Sequence, residues 1–173
     1  MRQTVRMTRF NTRPADELTR ALLSCCDVPH WAATIRDGRP YSSVEALLDT
    51  ADAAACSFTR ADLDRALAAH PRIGERAQAA GSAAAWSRRE QAAVRRDEQT
   101  LAALADANRA YEDRFDRVFL VCASGLGSEQ ILTALRDRLG NDDETEARVV
   151  ADELRKIALL RLREVVLTEE AIG

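Results

Sequence analysis

Only seven glycines and four prolines punctuate a chain of 173 residues, and this scarcity of breakers is what most constrains its fold. Alanine, leucine, arginine and glutamate dominate the stretches between them, and all four favour helix. The chain is therefore expected to be all-α. Hydrophobic residues at 46% and charged residues at 31% exclude a disordered chain and suit amphipathic helices, each with one solvated face. A chain of this length fits one domain, residues 1–173, and can bury a core without disulfides or metals.

Apolar spacing locates most of the helices. Pro14 suits a first helical position, and Leu18, Ala21, Leu22 and Cys25 follow at helical intervals. A second helix starts after Ser43, with Val44, Leu47, Leu48 and Ala51 on one face. A third starts at Thr59 and Asp62, continues through Leu63, Leu67 and Ala68, and ends near His70-Pro71, because proline disfavours helical geometry in the residue before it. Ser87-x-x-Glu90 opens a helix that Leu101, Leu104, Ala105 and Tyr111 extend, with a break near Asp97. Ser128 is expected to cap another, with Ile131, Leu132, Leu135 and Leu139 inward and Gly140 just past its end. The last runs from about Asp142 to Val166, with Val149, Leu154, Ile157, Leu160 and Leu162 along its apolar stripe. Val118 to Ala123 stands apart as a short apolar run rich in β-type residues. One isolated strand cannot make a sheet, so it is expected as a buried, extended segment between helices.

Several function classes are excluded at this stage. The 25 Lys and Arg are balanced by 28 Asp and Glu, and Arg88-Arg89 and Arg95-Arg96 have acidic neighbours, so no stripe for nucleic acid stands out. The start MRQTVRMTRFNTRP lacks a signal-like apolar run, and no stretch of about 18 apolar residues exists to span a bilayer. The four cysteines have no CxxC spacing, two of them are adjacent, and no Cys/His cluster has metal-ligand spacing. A reducing, cytoplasmic setting without a metal site is expected, and neither nucleic acid nor membrane as a partner.

Three places could carry chemistry. Of the two histidines, His30 beside Trp31 reads as a packed or surface imidazole. His70, in Ala69-His70-Pro71-Arg72-Ile73-Gly74-Glu75, sits at a helix end stiffened by proline, where an imidazole facing a cavity serves as general acid or base. A helix cap or a satisfied core residue is the competing reading for it. Ser87 and Glu90 have the spacing of a capping box, yet a helix N-terminus is also a prepared anion site. Arg161 lies on the apolar side of the last helix and needs a partner, either a buried carboxylate or an anionic ligand.

Taken in order, these segments resemble the 2-oxo-4-hydroxy-4-carboxy-5-ureidoimidazoline (OHCU) decarboxylases, which act third on the route from urate to allantoin. The resemblance spans nearly the whole chain. It rests on Phe10-Asn11, Cys25-Cys26, Trp31, Arg39-Pro40-Tyr41, His70-Pro71-Arg72-Ile73-Gly74, Ser87-x-x-Glu90-Gln91, Asn108-x-x-Tyr111, Arg114-Phe115, Phe119 to Ala123, Arg138-Leu139-x-Asn141, Glu146, and Ile157-x-x-x-Arg161-Leu162. It implies an all-α, single-domain bundle of about eight helices with its core over about residues 8–166, commonly dimeric. It also implies a cofactor-free carboxy-lyase that yields S-allantoin, with His70, Glu90 and Arg161 as catalytic residues. Substrate contacts then fall on Pro71, on Ser87, Arg88, Arg89 and Gln91, and on Phe119, Leu120, Val121, Cys122 and Ala123. The sequence departs from the family at three positions: Asp116 and Ala93 stand where glycine is common, and Ser124 where arginine is frequent. None of the three removes a catalytic group. Two other functions fit the same pattern, a non-enzymatic helical protein-binding module and a decarboxylase of a related ureide.

Overall fold

Tight chain reversals, not long loops, separate most of the helices. The computed structural model describes residues 2–68, 70–73 and 98–168. Among these residues there are eight helices: α1 (Arg2–Thr12), α2 (Ala15–Cys25), α3 (Pro29–Asp37), α4 (Val44–Ala55), α5 (Arg60–Ala68), α6 (Glu98–Phe115), α7 (Ser128–Arg138) and α8 (Asp143–Thr168). No strand occurs among them. The all-α expectation is met, and its reason is the one read from composition: few residues interrupt intrahelical hydrogen bonding.

The described chain divides into two compact units, one reaching to Asp62 and resuming at Arg155, the other running from Leu63 to Leu154. In the first unit α2 packs on α3 and α3 on α4. Helix α2 buries Leu18, Leu22 and Cys25, a spacing that lays them along one stripe, and Asp16 and Glu17 in its first turn face the positive end of the helix dipole. Pro14 lies one place outside this helix, at its N-cap with ψ 137°, and is not its first residue. Ser43 does cap α4, its hydroxyl accepting from the Ala46 N–H at 3.2 Å.

Two helices of this unit escape the sequence reading. Helix α3 is nine residues long, starts with Pro29 in its first turn and buries Trp31, Ala32 and Ile35. The Trp31 indole N–H donates to the Ala51 carbonyl of α4 at 2.9 Å. Helix α1 buries Met7 and Phe10, three residues apart on one face, and tertiary bonds hold its end. Asn11 exchanges two hydrogen bonds with the Tyr41 backbone, at 2.9 and 2.8 Å, and the Arg39 guanidinium gathers the carbonyls of Phe10, Asn11 and Arg13. Those terminal carbonyls have no partner within a helix, so the guanidinium does the work of a C-cap.

In the second unit α6 packs against α7 around Ile73, Leu104, Tyr111, Phe119, Ile131 and Leu135. Helix α7 starts one residue away from the expected cap. Gly127 is the N-cap, Ser128 is the first helical residue and is buried, and the Gln130 side chain reaches back to accept from the Gly127 N–H at 2.8 Å. Arg138 is buried at its end, whereas Leu139, expected inward, is only partly covered. Asp142 caps α8, accepting from the Thr145 N–H at 2.7 Å. Along α8, Val150, Leu154, Ile157 and Leu162 are buried, while Val149 and Leu160 are half-buried.

Candidate active site

Helix α5 delivers His70. Thr59 and Asp62 open the helix by satisfying each other's backbone donors, at 2.8 and 3.3 Å. Burial pushes the Asp62 carboxyl up, but two hydrogen bonds from Thr59 and the His30 ring 3.0 Å away together hold it below its ordinary value. His30 is thus an exposed imidazole on a carboxylate, set edge-on to Phe58, as the surface reading has it. At the other end of the helix the His70 N–H closes a turn on the Leu67 carbonyl at 2.9 Å.

The His70 ring is oriented by its own helix, with Nδ1 lying 2.8 Å from the Ala66 carbonyl. A carbonyl can only accept, so Nδ1 carries the proton, and in the neutral ring the lone pair is left on Nε2. Nε2 itself is buried. The residues that follow are tied to α6. The Ile73 carbonyl accepts from the Asn108 side chain at 3.1 Å, and Arg72 grips Glu112 with two bonds of 2.5 and 2.7 Å. Ile73 shares one apolar core with Phe119 and Ala123, so the segment after His70 and the odd apolar strip are parts of the same packed unit.

That strip leaves α6 through Asp116, whose φ of +52° lies in the left-handed region. Glycine adopts this conformation at least cost, so an aspartate here carries backbone strain. From Val118 to Ala123 the backbone is neither helix nor strand; Phe119, Leu120 and Ala123 are buried, and Val121 and Cys122 half-buried. Two long side chains hold its peptides. Arg138 donates to the Leu120 carbonyl at 2.7 Å, and Glu153 accepts from the Cys122 N–H at 2.7 Å. Arg138 is in turn fixed by Glu146, a carboxylate with no exposure, which also accepts from the Tyr111 hydroxyl at 2.5 Å and the Asn141 side chain at 2.8 Å. The guanidinium lies 4.5 Å over the Phe119 ring.

Arg161 belongs to the other unit, where it is 2% exposed. It donates to the Cys25 carbonyl at 3.1 Å, a group at the negative end of α2 that the helix itself leaves unpaired. Burial pushes the Cys25 and Cys26 thiols up to about 12, against the opposing field of Arg161.

Of the residues singled out by sequence, His70, Pro71 and Phe119 to Ala123 lie in one unit and Arg161 in the other. Ser87, Arg88, Arg89, Glu90 and Gln91 lie outside the described residues. The sequence reading assigned nothing to Glu153, and Arg138 and Glu146 entered it only as marks of the resemblance. A charge pair eight residues apart across a helix break gives no periodic signal. Among the described residues no group of three or more His, Cys, Asp or Glu is placed to hold a metal ion, and no helix is long and apolar enough to cross a membrane.

The described residues are those of an all-α protein in which one imidazole is held through Nδ1, a guanidinium is buried and an irregular apolar strip is pinned by side chains. Comparison with known proteins makes the class specific. The profile of the OHCU decarboxylase family matches residues 11–163, and the chain belongs to that family. It is 30% identical over 141 residues to the 2-oxo-4-hydroxy-4-carboxy-5-ureidoimidazoline decarboxylase of Amia calva, covering 80% of this chain and 81% of the other. The protein of the same name from Haloferax volcanii is 30% identical over 139 residues, covering 79% and 80%. The fold matches the crystal structure of an OHCU decarboxylase in the presence of (S)-allantoin with a TM-score of 0.71 at 26% identity, over 83% of this chain and 95% of that one.

Proposed function

We propose that this protein decarboxylates 2-oxo-4-hydroxy-4-carboxy-5-ureidoimidazoline to S-allantoin in urate breakdown, without a cofactor. The observation that carries this reading is the fixed His70 ring in a chain of this family: with Nδ1 committed to Ala66, proton exchange falls to Nε2. The substrate bears its carboxylate on a carbon next to an imine carbon. When CO2 departs, the bonding pair forms a carbon–carbon double bond and the imine pair moves onto nitrogen, so the substrate is its own electron sink. The hydroxyl then loses its proton as the carbonyl forms. The neighbouring carbon, which bears the ureido group, gains a proton, as does the ring nitrogen, and one proton is taken up per turnover.

In this scheme His70 carries the proton transfers and Glu90 orients it or the ureido group. Arg161 holds substrate oxygens as a forked donor. Pro71, Ser87, Arg88, Arg89, Gln91 and the backbone of Phe119 to Ala123 contact the ring and ureido amides. The family match runs through both compact units, which supports one functional domain. A homodimer in the cytoplasm completes the reading.

Substrate freshly generated from urate tests it. The purified chain should accelerate CO2 release and give a single enantiomer of allantoin, followed by circular dichroism. In heavy water one deuteron should enter at the ureido-bearing carbon, and activity should survive exhaustive chelation and dialysis. Racemic product at the uncatalysed rate overturns the assignment, and loss of activity with a chelator overturns its cofactor-free form. Light scattering of the eluted protein decides the dimer.

A further inference from the structure

Val121 lies between two anchored peptides, and both anchors are charged side chains at the helix α7–α8 junction or on α8. Arg138 holds the Leu120 carbonyl and Glu153 holds the Cys122 N–H, each at 2.7 Å. Because a peptide unit is planar and trans, fixing the Leu120 carbonyl turns the Val121 N–H the opposite way, and fixing the Cys122 N–H does the same to the Val121 carbonyl. One donor and one acceptor on a single residue are thereby aimed, the complement of an amide in a ureide. Glu146 and Glu153 are seven residues apart and share a face of α8, so the carboxylate that orients Arg138 and the carboxylate that holds Cys122 are carried on one rigid support.

We infer that Glu153 is a positioning residue, which together with the Arg138 anchor sets the direction of the Val121 peptide groups and through them the grip on the substrate's amides. This deepens the proposed function and rests on it, since it takes the strip from Phe119 to Ala123 as a wall of the substrate site. The anchoring acts on substrate and transition state alike, so its loss should appear mainly in KM.

Glu153→Ala and Glu153→Gln separate positioning from a merely structural role. Glu153→Ala should raise KM about tenfold, the scale of one hydrogen bond, with kcat changed much less and Tm little moved. Glu153→Gln keeps an oxygen acceptor for the Cys122 N–H and should restore KM to within about threefold of the parent. Unchanged KM in the alanine variant, or a glutamine variant as impaired as alanine, overturns the inference. Amide hydrogen exchange across residues 119–123 reads the anchoring without catalysis: exchange of the Cys122 amide should quicken in Glu153→Ala, and unchanged exchange overturns it. A parent protein inactive on the ureidoimidazoline, with the exchange difference still present, defeats the proposed function and leaves the anchoring standing.

Discussion

His70 shows how much one hydrogen bond can decide about a side chain. The imidazole's protonated nitrogen is spent on the Ala66 carbonyl of its own helix, which fixes the ring's orientation and leaves the lone pair on Nε2. His70→Asn should keep the helical circular dichroism and lose about 100-fold or more in rate, the usual scale for general acid–base catalysis. An active variant, or one that fails to fold, counts against the role. Asp116 is the opposite case, a residue whose side chain matters less than its backbone. At φ +52° it carries strain that glycine avoids, though glycine also makes the unfolded chain freer. Asp116→Gly is expected to raise stability by up to about 1 kcal/mol in urea melts, and a clear loss would show that the aspartate side chain supports the turn.

Among the elements, the junction of α7 and α8 is the most tightly specified. Glu146 receives Arg138, Tyr111 and Asn141 in a site closed to solvent. A buried pair of this kind adds little net stability when well made, yet removing one partner strands the other charge. Glu146→Ala should therefore cost about 3–5 kcal/mol, whereas a surface pair such as Arg20–Asp16 should be worth under about 1 kcal/mol. Equal effects from the two deletions would remove the junction from its place as the anchor of the strip that follows α6. Helix α1 also draws on partners elsewhere in its unit: Arg39 satisfies carbonyls at its end.

At the scale of the whole molecule, buried ionisable groups make stability depend on alkaline pH. Burial raises Cys25 and Cys26 from 9.0 to about 12, and burial together with the Glu146 carboxylate raises the Tyr111 phenol above its ordinary 10.0. A group whose pKa is raised by folding favours the folded state below its unfolded value and loses that contribution as pH climbs toward its folded value. Stability from the thiols is thus fully present below about pH 9 and should decline between about pH 9 and 12, with Tyr111 joining above about pH 10. Denaturant midpoints across this range should fall, and the fall should be smaller in Cys26→Ala. A flat profile would mean that the thiols ionise within the folded protein. In alkylation at neutral pH, exposed Cys56 should be modified ahead of buried Cys25 and Cys26.

Composition and periodicity were enough to settle the helical class, the four apolar stripes of α2, α4, α5 and α8, and the end of α5 at His70-Pro71, because these depend on local spacing, on caps and on proline's own geometry. The apolar run from Val118 to Ala123 was legible as an oddity for the same reason: its residues suit neither an amphipathic helix nor a lone strand. Tertiary structure alone decided the rest. Helices α1 and α3 are tied by bonds to residues 20 to 30 positions away, Trp31 to Ala51 and Asn11 to Tyr41, and no local pattern encodes those bonds. One partner of Arg161 is a helix-end carbonyl 136 residues distant. The pinning of the Leu120 and Cys122 peptides likewise depends on where a guanidinium and a carboxylate come to rest, which hydrogen-bond geometry fixes in space and the order of residues leaves open.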